Sequence, residues 1–131
     1  MVSRIRVVIA DDEPLILDQI GSYLETRFEV VAQTRNGREL IDAVRRLSPS
    51  VVVADVAMPV LDGIEATRQI KSTDPTVKVL MLSGHEDPEL IDAAFEAGAI
   101  GYVVKIRAFG ELIPAIECVL AGRPYRPLIN S

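Results

Sequence analysis

The sequence holds a single cysteine, Cys118, and a single histidine, His85. One cysteine excludes an internal disulfide framework and any metal site built on several thiolates. No apolar run approaches the length of a membrane span. The first residues, Met1-Val2-Ser3-Arg4-Ile5-Arg6, lack the apolar stretch of a secretory leader. Cations are in deficit: 14 Lys and Arg stand against 19 Asp and Glu, a formal net charge of −5. Clustered positive charge is what grips a phosphate backbone, so this chain is not expected to bind nucleic acid directly. Repeats, charge blocks and low-complexity tracts are missing. These absences leave a soluble cytoplasmic protein as the expectation, with no membrane contact.

What is present suits one domain with one core: 131 residues, of which 49% are apolar and 25% charged. The most informative stretch is Val51-Val52-Val53-Ala54-Asp55-Val56-Ala57-Met58-Pro59-Val60-Leu61-Asp62-Gly63. A short apolar run bounded by turn residues reads as a strand buried on both faces. Pro59 cannot donate to a central ladder, so the strand stops before it and Asp55 sits at its end. Open α/β sheets hold their ligands at the carboxyl ends of strands.

The rest of the chain repeats that pattern. Arg4 to Ala10 reads as a strand, followed by Asp11-Asp12-Glu13-Pro14 and a helix whose first turn takes Pro14. Phe28 to Thr34 is a second strand, and Leu40, Ile41, Val44 and Leu47 mark a helix that ends before Ser48-Pro49. Asp62 caps a third helix over Ile64 to Lys71. Val77 to Leu82 is a fourth strand ending at Ser83-Gly84. Asp87-Pro88 opens a fourth helix with an apolar face of Leu90, Ile91, Ala94 and Phe95, which Gly98 closes. Gly101 to Val104 is a fifth strand ending at Lys105. A last helix covers about Phe109 to Ala121. Strict alternation predicts a parallel sheet covered by helices on both faces.

Parallel strands bring their carboxyl ends to one edge. That edge then collects Asp11, Asp12, Thr34, Asp55, Ser83 and Lys105. Two carboxylates about 5 Å apart repel by about 3 kcal/mol at an effective dielectric near 20. Three acids together require a proton or a cation among them. Oxygen ligands without nearby Cys or His point to a hard ion, with Mg²⁺ the first candidate. With Lys105 as a compact positive charge and Ser83 as a hydroxyl donor, the set describes a phosphoryl-transfer site in which a carboxylate is the nucleophile.

From about Arg4 to Gly122 the chain resembles the receiver domain of a two-component response regulator. The matching motifs are Asp11-Asp12, Asp55-x-x-Met58-Pro59-x-x-Asp62-Gly63, Ser83-Gly84 and Ala97-Gly98-Ala99-x-Gly101-Tyr102-x-x-Lys105. Each is weak alone; together, in order and spacing, they are specific. The resemblance implies the flavodoxin-like receiver fold, a five-stranded parallel sheet in strand order 2-1-3-4-5 with helices on both faces. It also implies roles. Asp55 is the phosphoacceptor. Asp12 binds Mg²⁺ directly and Asp11 through water, and the backbone carbonyl of Ala57 completes the protein ligands. Lys105 pairs with the phosphoryl group, Ser83 turns inward to hydrogen-bond it, and Tyr102 is an aromatic switch. The implied donor is a sensor histidine kinase or a small phosphodonor such as acetyl phosphate. The implied output is a shift in the face of the fourth helix, fifth strand and fifth helix.

Three departures from the family pattern carry expectations. The residue after the lysine, where many receivers have proline after a cis bond, is Ile106. A cis bond there costs about 3 kcal/mol, so trans is expected. Pro114 falls in the middle of the last helix, which predicts a kink or a late start that puts Pro114 in the first turn. Ala57 offers no side chain near the phosphoryl position, which leaves His85, read as an exposed loop histidine, beside it. Cys118 reads as a small buried hydrophobe.

Residues 1–122 read as the receiver and 123–131, beginning Arg123-Pro124-Tyr125-Arg126-Pro127, as a linker or tail. Such a tail suits the branch whose receivers lead into a DNA-binding helix-turn-helix domain, through which alone DNA would be reached. A homodimer through the first and fifth helices, or through the fourth-helix to fifth-helix face, fits equally well. Two other classes stay open. A Mg²⁺-dependent phosphatase with an aspartyl nucleophile usually has a second aspartate two residues on, where this chain has Ala57. A stand-alone receiver acting by protein–protein interaction without phosphorylation usually lacks an acid or the lysine, and here none is missing.

Overall fold

Strands and helices alternate along the chain where the sequence punctuation places them. The computed structural model describes residues 4–127. In it β1 (Arg6–Ala10) leads to α1 (Pro14–Glu25), β2 (Glu29–Thr34) to α2 (Gly37–Leu47), and β3 (Val51–Ala54) to α3 (Gly63–Thr73). Then β4 (Lys78–Ser83) leads to α4 (Pro88–Glu96), and β5 (Gly101–Val104) to α5 (Ala108–Leu120) through a 3₁₀ turn over Lys105–Arg107. All pairings are parallel, in the order β2-β1-β3-β4-β5. This is the flavodoxin-like receiver fold that the motifs imply.

Successive strand residues point to opposite sides, which builds two cores. Val8, Ala10, Val52, Ala54, Val79, Met81 and Tyr102 pack with α2, α3 and α4 through Leu40, Ile41, Val44, Ala66, Ile70, Ile91 and Ala94. Val7, Ile9, Val51, Val53, Leu80, Leu82 and Val103 pack with α1 and α5 through Leu17, Ile20, Leu24, Leu112, Ile116 and Val119. The three central strands are buried throughout apart from the half-buried first residues of β1 and β4. β2 and β5 are the edges.

Helix ends follow local chemistry. Pro14 takes the first position of α1. Asn36 and Asp62 accept hydrogen bonds from the Glu39 and Glu65 amides and cap α2 and α3. Asp87 occupies the corresponding place before α4, but its side chain caps no amide; it lies 4.0 Å from His85 Nδ1 instead. No cis peptide bond occurs among the described residues, so Lys105–Ile106 is trans.

Pro114 departs from one of its two expectations. α5 begins at Ala108 and runs through Pro114 without a late start. The ring is exposed, and so is Gly110 one turn before it. The carbonyl that loses its donor therefore faces water, which lowers the cost of the missing bond. Cys118 also departs from expectation. It is half-buried, with its thiol 3.5 Å from the Arg123 carbonyl and 3.6 Å from that of Pro124.

Candidate functional site

The carboxyl ends of β1, β3, β4 and β5 share one rim. β1 and β3 are direct neighbours, so the residues that follow them meet. The Asp55 amide donates to the Ala10 carbonyl (2.9 Å) and the Asp11 amide to the Thr34 carbonyl (3.0 Å), which carries the ladder one residue past each strand. Oxygens of Asp11, Asp12 and Asp55 all lie within 4.8 Å of one another. Asp11 and Asp55 are buried, and Asp12 is exposed.

Lys105 arrives from the end of β5 and bridges two of the acids. Its Nζ lies 2.8 Å from Asp11 Oδ2 and 2.9 Å from Asp55 Oδ2. Only the second contact is aligned as a hydrogen bond. Asp11 Oδ2 is therefore a buried oxygen with an ion-pair neighbour but no aligned donor. The other Asp11 oxygen accepts from the Glu13 amide at 3.0 Å. Burial raises the Asp55 pKa above its ordinary 3.8, against the hydrogen bond and charge of Lys105, and the charge of Asp11 adds to the rise. Burial would depress the Lys105 ammonium, but the close Asp11 and Asp55 carboxylates outweigh it and its pKa is raised.

The loop after Asp55 is held tightly. A side chain at Gly63 would place its Cβ 2.0 Å from the Asp55 carbonyl oxygen, so only glycine lets α3 start against the site. The Gly37 amide donates to the Leu61 carbonyl at 2.8 Å and ties the same loop to α2. Just before these anchors Val60 has φ +69°, and the Leu61 amide donates to the Pro59 carbonyl at 2.7 Å. That i→i+2 bond around a positive φ is the rare, strained form of γ-turn. The Ala57 amide donates to Asp55 Oδ1 at 3.3 Å.

The acids open into a cleft of about 390 Å³ lined by Asp12, Glu13, Asp55, Ala57, Gly84, His85 and Lys105. Ser83 is fully buried beside it, its Oγ accepting from the His85 amide at 3.1 Å. Tyr102 is also fully buried, and its phenol donates to the His85 carbonyl at 2.9 Å. Burial raises the phenol pKa; the nearby Ser83 hydroxyl opposes this, and the charges of Asp87 and Asp55 add to it. Thr34, the remaining strand-end residue, does not join the site: its hydroxyl donates to the Ile9 carbonyl inside the sheet. Glu13 in the cleft wall was not singled out from the sequence, although it directly follows the two acids.

The donor set suits a hard divalent cation. It offers carboxylate oxygens only, one of them exposed and one a buried oxygen lacking an aligned donor. Lys105 supplies compensating charge.

Known proteins carry the same arrangement of sequence and fold. The family pattern described as "Response regulator receiver domain" matches residues 7–117. The transcriptional regulatory protein LnrK of Bacillus subtilis is 38% identical over 125 residues, covering 94% of this chain and 57% of LnrK. The transcriptional regulatory protein DegU of Brevibacillus brevis is 36% identical over 125 residues, covering 94% of this chain and 53% of DegU. The chain thus spans little more than half the length of these relatives. A crystal structure of a LuxR-family two-component response regulator from Aurantimonas sp. SI85-9A1 superposes with a TM-score of 0.90. It is 37% identical, with 94% of this chain and 89% of that one covered. On the family match and the shared fold, this chain belongs to the response regulator receiver domain family.

Proposed function

We propose that the chain is a phosphorylation-dependent signalling switch with Asp55 as phosphoacceptor. The observation that carries this is the Lys105 ammonium bridging Asp55 and Asp11 beside Asp12, at the mouth of an open cleft. An Asp55 carboxylate oxygen attacks the phosphorus of a phosphohistidine on a sensor histidine kinase, or of a small acyl phosphate. The new P–O bond replaces the bond to the leaving group, which departs with its electron pair: the imidazole of a phosphohistidine takes a proton from water, and the carboxylate of an acyl phosphate leaves as the anion. Lys105 is already aimed at Asp55, and its charge offsets the negative charge brought by the phosphoryl group. The Ser83 hydroxyl, next to the cleft, donates to a phosphoryl oxygen when it turns inward. Tyr102, joined to the Ser83 segment through the His85 carbonyl, is the aromatic switch.

Asp11, Asp12 and Asp55, with the Ala57 carbonyl, would hold Mg²⁺. The ion would supply charge neutralisation at the transferring phosphoryl oxygens. Residues 1–122 form the phosphoacceptor unit and 123–131 the linker or tail that follows it, of which 128–131 lie outside the described residues. The relatives' description as transcriptional regulators supports control of transcription as the output, exerted in the cytoplasm through an attached DNA-binding domain or a homodimer. Exposed Leu15 on α1, Ile106 in the 3₁₀ turn and Phe109 at the start of α5 give a protein donor apolar surface near the rim.

The test is to incubate the chain with Mg²⁺ and acetyl phosphate and weigh it. A single phosphoryl adduct that disappears in Asp55→Asn is the expected result. No adduct would overturn the proposal in favour of an interaction module. Steady release of phosphate from monoesters would overturn it in favour of a phosphatase.

A further inference from the structure

Past α5 the chain does not leave the fold. Gly122, at φ +82°, turns it back, and the residues that follow bring Tyr125 beside β5, an edge strand of the sheet. Tyr125 pairs with Gly101 in a parallel bridge. The Tyr102 amide donates to the Tyr125 carbonyl at 2.9 Å, and the Tyr125 amide donates to the Ile100 carbonyl at 3.0 Å. The Tyr125 phenol donates to Glu111 on α5 at 3.0 Å. Arg126 donates to Asp92 on α4 at 2.8 Å, and its guanidinium lies 4.4 Å from the centre of the Phe95 ring. Residues 123–127 thus form a strap held on α4 by Arg126, at the start of β5 by the Tyr125 backbone, and on α5 by Glu111 and Cys118.

The strap meets the proposed switch at Tyr102. That residue's amide is held from outside by Tyr125, and its phenol is held from inside by the His85 carbonyl. The His85 amide in turn donates to Ser83 Oγ at the cleft. A continuous series of hydrogen bonds therefore runs from the rim of the site to the strap. The docked strap thus holds the backbone of the same residue whose phenol is buried.

We propose that docking of the 123–127 strap on β5 is positively coupled to phosphoryl loading of Asp55, with Tyr125 and Arg126 acting as positioning residues through Tyr102. The inference rests on the reading of Asp55 as phosphoacceptor. Linkage makes the coupling reciprocal. Loading the site tightens the strap, and loosening the strap weakens loading by the same factor.

The experiment uses the full chain with Mg²⁺ and beryllofluoride, a phosphoryl mimic, titrated by calorimetry, with hydrogen exchange read at the Tyr125 amide. In the unsubstituted chain, beryllofluoride is expected to slow Tyr125 exchange about fivefold or more. Tyr125→Ala is expected to weaken beryllofluoride binding by a similar factor. Arg126→Asp is expected to weaken it a few-fold, since an exposed ion pair is modest in strength. Combining Arg126→Asp with Asp92→Arg restores the pair with its charges exchanged and is expected to recover the lost affinity. General destabilisation would not be recovered in this way. If the unsubstituted chain binds beryllofluoride while both variants bind equally well and Tyr125 exchange does not change, the strap proposal alone is overturned. If the unsubstituted chain does not bind beryllofluoride, the phosphoacceptor reading falls and the coupling falls with it.

Discussion

Lys105 Nζ lies 2.9 Å from Asp55 Oδ2, although fifty residues separate them along the chain. The same nitrogen is the nearest positive charge to buried Asp11. Removing it leaves two buried carboxylates facing each other. Lys105→Ala is expected to lower stability by about 1–3 kcal/mol in the absence of divalent cations. Adding Asp55→Asn is expected to return part of that loss, because the two changes share one interaction. Denaturant titration of the two single variants and the double variant checks this; strictly additive losses would show that the ammonium does not hold the acids together.

The raised pKa of Asp55 gives a pH dependence of definite sign. Burial favours the neutral acid in the folded state. The stabilisation from this group is fully present below the ordinary value of 3.8 and is lost as pH rises through the raised folded value. At neutral pH without divalent cations, ionised Asp55 therefore works against folding, and Asp55→Asn is expected to melt at a higher temperature than the unsubstituted chain. The gap should close below pH 3.8, where the carboxyl is protonated in both states. A gap of the opposite sign at neutral pH would contradict the burial argument.

A divalent cation should relieve the same crowding. Mg²⁺ at a hundred times its dissociation constant is expected to stabilise the fold by about 2.7 kcal/mol. Asp12 is the exposed member of the acid cluster and contributes little to packing. Asp12→Ala should therefore leave the metal-free melting temperature nearly unchanged while removing most of the Mg²⁺ response. Thermal melts with and without Mg²⁺, and with chelator added, measure both parts. An undiminished response in Asp12→Ala would place the ion elsewhere.

The reasons one part of this arrangement was readable and another was not are physical. Val51 to Ala54 is an unbroken apolar run ending in an acid, and a run of that kind has few homes other than a central parallel strand. Once five such units alternate, the sheet edge follows, and Asp11, Asp12, Asp55, Ser83 and Lys105 have to gather there. Contacts made by side chains in irregular segments leave no periodic trace. The Cys118 thiol meets tail carbonyls because Gly122 turns the chain back over α5, and nothing in the helical spacing announces that turn. Arg123-Pro124-Tyr125-Arg126-Pro127 did carry a cue: residues before proline favour extended backbone. Its pairing, however, depends on the free edge of β5, which only the assembled sheet reveals.

Pro114 separates propensity from context. Its ring denies the exposed Gly110 carbonyl a partner one turn back, yet α5 continues because Leu112, Ala115, Ile116 and Val119 are buried against the sheet. Tertiary packing outweighs the local cost. Pro114→Ala is expected to raise stability by about 1–3 kcal/mol, the larger figure applying if the helix regains a full hydrogen bond there. An unchanged or lower denaturation midpoint would mean that water already satisfies the carbonyl or that the helix needs the ring's restraint.

Val60 is the most strained point beside the site. It is 79% exposed, so packing does not compensate for its φ of +69°. A β-branched residue in the left-handed region costs about 1–2 kcal/mol. Glycine relieves that strain but gives back about 0.5–1 kcal/mol in backbone entropy. Val60→Gly is therefore expected to stabilise the chain by about 0.5–1 kcal/mol. The loop's ends stay fixed, since Gly37 still holds Leu61 and Gly63 still packs on Asp55. If Val60 serves the site only through backbone shape, the rate of acetyl phosphate labelling should be unaltered while the melting temperature rises. A variant that gains stability but labels more slowly would show that the strained turn itself aims Asp55. A variant that loses stability would show that the γ-turn is not the strained element its dihedral indicates.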